Sequence, residues 1–169
     1  MASANIIPTA PTDGVSYATQ VPLTTTEATL GDAAKTPTII SIIEGQTIIA
    51  VIKLTINGLI TGNTAYVVLQ TDLGDDTWID VAWIVWVGGQ GTATFVICGG
   101  GLGAMNNAFQ QSRNAGQPPT PQAAGSNAVP LGGRVRFVGK ATLVSGSSSI
   151  AGTTPQVKTD ITYKLQYPR

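Results

Sequence analysis

The chain has 169 residues, with nine Lys plus Arg, nine Asp plus Glu and no His, so it is formally neutral and only 11% charged, against roughly 25% in an average soluble domain. Neutrality argues against a nucleic-acid binder, which needs clustered Lys and Arg to release counterions. The missing His removes Ser-His-Asp and Cys-His nucleophiles and most zinc sites. A 43% hydrophobic fraction over this length gives one domain enough chain to bury a core, and so little charge points to a surface that partners cover.

Residues 1–37 hold Pro8, Pro11, Pro22 and Pro37, a Thr24-Thr25-Thr26 run and few large apolar side chains. No helical or strand period persists there, so an extended N-terminal arm is expected over 1–37, of the kind that orders by lying across a neighbour. Met-Ala-Ser-Ala-Asn at the start has neither a basic n-region nor an apolar h-region, so a secretory signal is not expected and synthesis in a cytoplasm is.

From 38 to 169 the pattern predicts one all-β domain, an antiparallel β-sandwich. Thr38–Ile43 and Thr47–Ile56 are rich in Ile, Val and Thr, which suit a pleated surface. Asn57-Gly58 and Gly62-Asn63 mark turns before a strand over Thr64–Thr71. Asp72-Leu73-Gly74-Asp75-Asp76 is a polar connection into a strand over Thr77–Val87, and Gly88-Gly89-Gln90-Gly91 turns into Thr92–Ile97. Cys98 is the sole cysteine, which excludes an internal disulfide framework, and is read as a small buried hydrophobe. The segment 99–133, made of Gly, Ala, Asn, Gln and Pro, is read as a long loop. Within it Ala104–Arg113 predicts a short helix that stacks Met105 on Phe109. Two strands close the chain. In Arg134–Val144 the side chains of Val135, Phe137, Ala141 and Leu143 alternate with Arg134, Arg136, Lys140 and Thr142. In Gln156–Tyr167 the same period of two separates Val157, Ile161, Tyr163, Leu165 and Tyr167 from Lys158, Asp160, Thr162, Lys164 and Gln166. Each strand then has one buried and one polar face.

The strand over Thr77–Val87 breaks that rule. Strict alternation puts Trp78, Ala82, Ile84 and Trp86 on a face with Asp80, and Ile79, Val81, Trp83, Val85 and Val87 on the other. Both faces are apolar, so the outer one needs a cover: a second subunit, the 99–133 loop or the arm. This selects Ile79, Val81, Trp83 and Val85 as interface residues, with Met105 and Phe109 beside them. Arg134, Arg136 and Lys140 form a basic face suited to an acidic partner surface. The run Trp78–Val87 is about half the length of a membrane helix and includes Asp80, so no membrane association is expected.

Chemistry-bearing constellations are few. Asp72, Asp75, Asp76 and Asp80 are the one concentration of carboxylates. Calcium takes roughly six to eight oxygen ligands on a defined loop pattern that is missing here, so the string reads as turn chemistry. Gly99-Gly100-Gly101-Leu102-Gly103 lacks the Gly-Lys-Ser/Thr of a phosphate loop and reads as a bend. Ser145 to Ser149 have no base to activate a hydroxyl. Trp78, Trp83 and Trp86 suggest a sugar-stacking platform, but alternation sets Trp83 opposite the other two, which favours packing. Neither catalytic, metal nor cofactor residues are assigned, and no enzymatic activity is expected.

The stretch Tyr66-Val-Val-Leu-Gln-Thr-Asp-Leu-Gly-Asp-Asp-Thr-Trp-Ile-Asp-Val-Ala-Trp resembles a pattern in small structural proteins of tailed bacteriophages. So does Leu131-Gly132-Gly133-Arg134-Val135-Arg136-Phe137, together with a last strand ending in Pro168-Arg169. The resemblance covers roughly residues 64–169, and its family is the capsid cement or decoration proteins. It implies a jelly-roll-like sandwich in the virion, assembled in the host cytoplasm. The expected partner is the major capsid protein, bound on the outer head surface by a homo-oligomer, a trimer rather than a dimer. Direct nucleic-acid contact is not implied. Such symmetry lets modest contacts add through avidity. Competing readings are a receptor- or carbohydrate-binding sandwich of a tail or fibre, a shell-forming coat protein, which needs more basic residues than the arm's Lys35, and, distantly, a hydrolase.

Overall fold

Alternation of β-branched residues with polar ones builds this molecule. In the computed structural model, which describes residues 14–31, 39–43, 45–57, 64–87, 91–100, 109–113, 124–126, 131–142 and 156–167, every described element is a strand. They are β1 (Val15–Pro22), β2 (Ala28–Thr29), β3 (Ile40–Ser41), β4 (Thr47–Asn57), β5 (Thr64–Asp72), β6 (Trp78–Val87), β7 (Gly91–Gly99), β8 (Phe109–Arg113), β9 (Ala124–Ser126), β10 (Arg134–Thr142) and β11 (Gln156–Gln166). All pairings are antiparallel.

The first sheet runs β1-β11-β4-β7-β8 and the second β2-β10-β5-β6-β9, with β3 also on β10. Setting aside β3, β8 and β9, the chain visits the two sheets alternately at first, and its last long strand returns beside its first. That wrapped order of eight principal strands is jelly-roll-like. The sheets face each other across one core. From the first sheet come Ile48, Ala50, Ile52, Leu54, Ile56, Ala93, Phe95, Ile97, Val157 and Ile161. The second sheet contributes Ala65, Val67, Leu69, Ile84, Trp86, Val135, Phe137 and Ala141. Each large side chain buried here contributes on the order of 1.5–3 kcal/mol of transfer free energy.

The N-terminal segment departs from expectation. Residues 14–31, read as part of an arm, belong to the sandwich: β1 pairs with β11, and Tyr17, Ala18, Leu23 and Leu30 are buried in the core. Tyr17 packs edge-on against Phe137, with ring centroids 5.1 Å apart. Leu23 and Leu30 close over Gly139, whose missing side chain leaves room for both. The strand was hidden because its register with β11 shifts twice, once between Ser16 and Ala18 and once between Ala18 and Val21. Each shift cancels the period of two on which recognition depends. The second shift puts Gln20 in the left-handed region at φ 53°. Asp160 holds it there, accepting from the Gln20 backbone N–H at 2.7 Å and side-chain amide at 2.8 Å. The rest of the expected arm lies outside the described residues.

The segment 99–133 also carries strands. Phe109–Arg113, expected to end a helix, is β8 on the edge of β7, and Ala124–Ser126 is β9 on β6. Their sequences have no apolar alternation, because pairing to an existing sheet edge through backbone groups does not require it. Residues 104–108, the rest of that helix, lie outside the described residues, as does Met105.

Candidate docking surface

The second sheet's outer face is built by β10, β5 and β6. Register sets its occupants: Arg134, Arg136, Val138 and Lys140 from β10 stand opposite Asp72, Gln70, Val68 and Tyr66 from β5. On β6 a register shift falls where Leu69 pairs with Ala82 but Gln70 pairs with Asp80. The extra residue is Val81, so Val81 and Ala82 both lie in the core at 0% exposure. Alternation restarts with opposite phase beyond this bulge. Trp78 and Asp80 therefore share the outer face with Trp83 and Val85, while Ile79 turns inward.

This corrects the expected division of β6. Of the four interface residues assigned there, Trp83 and Val85 are on the outer face and half-exposed, Val81 is core, and Ile79 is at the inner side of the strand end. Trp78 and Trp83 share one face, whereas Trp86 is buried in the core at 2%. Arg134, Arg136 and Lys140 do share a face, but two of them are bound within the chain. Phe109 begins β8, its backbone paired with Val96.

The two sequence segments that carry the phage resemblance meet here. Pairing of β5 with β10 brings Gln70, Thr71 and Asp72 against Arg136, Val135 and Arg134. Arg134 donates from Nε to Asp72 Oδ2 at 2.8 Å, forms a second contact to it through Nη2, and reaches Asp76 Oδ1 at 2.7 Å. Asp72 Oδ1 accepts from the Gly74 N–H at 2.9 Å. That N–H, and then the Arg134 guanidinium, hold the Asp72 carboxyl below the usual carboxylate range against the opposing effect of burial. Thr71 Oγ1 accepts from the Gly132 N–H at 2.7 Å and faces the Arg134 carbonyl at 3.3 Å. A Cβ on Gly132 would run into the Asp72 carbonyl, so only glycine permits this approach. The dyad Gly132-Arg134 is thus a latch on the β5–β6 turn.

A second chain of contacts extends it. Arg136 Nε donates to Gln70 Oε1 at 2.9 Å, and Gln70 Nε2 donates to Asp80 Oδ1 at 2.8 Å. The Arg136 guanidinium carbon lies 4.1 Å from the Trp78 ring centroid and that of Arg134 5.7 Å away, within cation–π range. Three of the four clustered carboxylates, Asp72, Asp76 and Asp80, are thereby engaged by Arg134 and Gln70. Among the described residues no three His, Cys, Asp or Glu side chains converge as metal ligands.

Beside the latch is an open cleft of about 340 Å³ lined by Glu27, Tyr66, Val68, Asp80, Trp83 and Val85. Tyr66 donates its hydroxyl to Glu27 Oε2 at 2.6 Å. Burial first, then the Glu27 hydrogen bond and the negative charges of Glu27 and Asp80, push that hydroxyl up to about 12. Sequence reasoning missed Glu27, Tyr66, Val68 and Gln70 as members of this face. Tyr66, Val68 and Gln70 are signalled by their period of two along β5, but Glu27 arrives from a segment with no strand period.

On the opposite side of the sandwich, Cys98 pairs in register with Ile49 and Val96 with Val51. Cys98 is half-buried rather than buried, because it points outward, and partial burial pushes its thiol up. In the glycine run after it, Gly99 ends β7 in the core and Gly100 bends the chain at φ 88°.

No family model, no curated protein and no solved structure matches this chain.

Proposed function

We propose that this protein is a structural component of a tailed-phage particle that docks by the outer face of its second sheet and cements neighbouring major capsid subunits. The observation that carries the reading is the union, on that face, of the two segments that resemble cement and decoration proteins. They are far apart in the chain, yet they form one unit through Asp72–Arg134, Thr71–Gly132 and Gln70–Arg136. Next to this rigid unit lie Trp83, Val85 and Tyr66, large and half-exposed, the residue types that anchor interfaces. Symmetric copies on a repeated lattice need only modest contacts each.

A carbohydrate- or receptor-binding role gains one point, since the β6 bulge puts Trp78 and Trp83 on one face. It loses another, since Arg136 already covers Trp78.

The test is to assemble heads without this chain, add the purified protein, and challenge both with heat and chelator. Added protein is expected to bind at regular positions seen by electron cryomicroscopy and to delay DNA release. Equal survival of the bare and decorated heads would sink the cementing role.

A further inference from the structure

We propose that the outer face of the first sheet adsorbs to a bilayer rich in anionic lipid, with Lys53, Lys158 and Lys164 on head-group phosphates and Ile49, Val51 and Val96 at the apolar boundary. The two outer faces of a sandwich look in opposite directions, so a copy docked by its second sheet still presents this one.

Alternation decides what the face carries. Ile48, Ala50, Ile52 and Leu54 of β4 are core at 0% exposure, so Ile49, Val51, Lys53 and Thr55 point outward. Register with β11 sets Lys164 beside Ile49, Thr162 beside Val51, Asp160 beside Lys53 and Lys158 beside Thr55. On the other side β7 sets Cys98, Val96, Thr94 and Thr92 in the same order. The face is therefore sorted along its strands. One half is aliphatic, with Val51 39% exposed and Lys164 at its flank. The other half holds the ammonium groups of Lys53 and Lys158 with the hydroxyls of Thr55, Thr92 and Thr94, the donor types that engage phosphate oxygens.

Among the described residues the ion pairs belong to Arg134 on the other sheet, and none of these three lysines takes part in one. Asp160 stands in register with Lys53, but both of its oxygens accept from Gln20. Residue type then selects the partner. The second sheet's outer face offers Arg, Trp and Tyr, which anchor protein interfaces. The outward residues described on β11, β4 and β7 include none of these. Lysine is a compact charge on a flexible stem, suited to a diffuse anionic surface. A nucleic-acid strand would find no ring there to stack on and would leave the aliphatic half in water. The expected lack of membrane association rests on the short apolar run Trp78–Val87, whereas adsorption needs no spanning segment.

The experiment pellets the full chain with sucrose-loaded vesicles. One set is phosphatidylcholine alone, the other phosphatidylcholine with an equal amount of phosphatidylglycerol. Both are run at about 0.1 M and about 1 M salt, between which the screening length falls from about 10 Å to about 3 Å. Binding is expected on the phosphatidylglycerol vesicles at low salt, with loss at high salt and on the neutral set. Each lysine near an anionic surface is worth about fivefold in partitioning. The triple variant Lys53→Gln, Lys158→Gln, Lys164→Gln should therefore bind about a hundredfold more weakly, while Lys140→Gln on the other sheet should bind like the parent. Cys98, the sole thiol, stands in register with Ile49 on this face, so its alkylation by iodoacetamide should slow on the anionic vesicles only. No binding to phosphatidylglycerol, equal binding to the neutral set, or a bound protein whose Cys98 reacts at the free rate would each overturn the proposal. So would tighter binding to duplex DNA at the same salt. The thiol readout decides even if the triple variant fails to fold. Heads are absent throughout, so a failure here and a failure of the docking reading are told apart.

Discussion

Adjacent glycines at 132 and 133 give the sharpest test of the latch. Replacing Gly132 with Ala puts a methyl group inside the contact shell of the Asp72 carbonyl oxygen, 2.9 Å from its carbon and 3.4 Å from Thr71 Oγ1. The obstacle is backbone of β5, which is hydrogen-bonded on both sides, so it cannot swing away as a side chain would. Either the 131–133 segment retreats and loses the Gly132 N–H bond to Thr71, worth about 1 kcal/mol, or strand β5 is displaced at an overpacking cost of about 1–3 kcal/mol. Whichever gives way, Gly132→Ala should cost about 1–3 kcal/mol of stability, a fall of about 0.5–1.5 M in urea midpoint for a slope near 2 kcal/mol/M. Gly133 has nothing within 4 Å of its virtual Cβ and is exposed. Gly133→Ala should therefore stay within about 0.5 kcal/mol of the parent. Urea unfolding followed by tryptophan fluorescence measures both. Equal midpoints for the two variants would refute the close-approach argument.

Two further outcomes follow from titration. The folded Asp72 carboxyl is held below its ordinary range, so its contribution is present above the unfolded carboxylate value and is lost as pH falls through the folded one. Asp72→Asn should lower the urea midpoint at pH 7 and flatten its decline below pH 4, and an unchanged acid limb would contradict this. Tyr17 is pushed by burial from 10.0 to about 12, so its contribution is intact below pH 10 and lost as pH rises toward 12, up to about 3 kcal/mol. Tyr17→Phe should remove that part of the alkaline decline, as thermal melts between pH 9 and 12 would record. On β6, deleting Val81 removes the extra residue and restores strict alternation with Trp78, Asp80, Trp83 and Val85 still on the outer face. The deletion variant should still fold, losing on the order of 1.5–3 kcal/mol for the buried Val81 side chain and keeping native near-ultraviolet circular dichroism, whereas loss of cooperative unfolding would disprove the bulge.

Six of the strands were legible because their apolar residues keep a period of two or run continuously between Gly and Asn turns. Observed ends of β4, β5, β6, β7, β10 and β11 fall close to the expected ones. Where the period breaks, reading fails for a physical reason. In β1 two register shifts scatter Val15, Tyr17, Ala18 and Val21, so a core strand looks like an arm. In β6 one extra residue reverses the facing of Trp78 and Asp80 relative to Trp83. In β8 and β9 backbone pairing at an edge needs no apolar signal. Gly132 reads as an ordinary turn residue until Asp72, brought alongside by β5–β10 pairing, shows why a side chain cannot stand there. The low charge between Thr77 and Gly133, where only Asp80 and Arg113 are charged, takes on meaning once Trp83 and Val85 are found half-exposed on an outer face.

Hydroxyl-radical footprinting of the full chain, free and bound to heads assembled without it, tests the docking surface most directly. Docking by this face should cost Tyr66, Trp78 and Trp83 their labelling on binding, while Ile49, Val51 and Val96 on the opposite sheet keep theirs. Protection confined to the opposite sheet, or no protection at saturating heads, would contradict it.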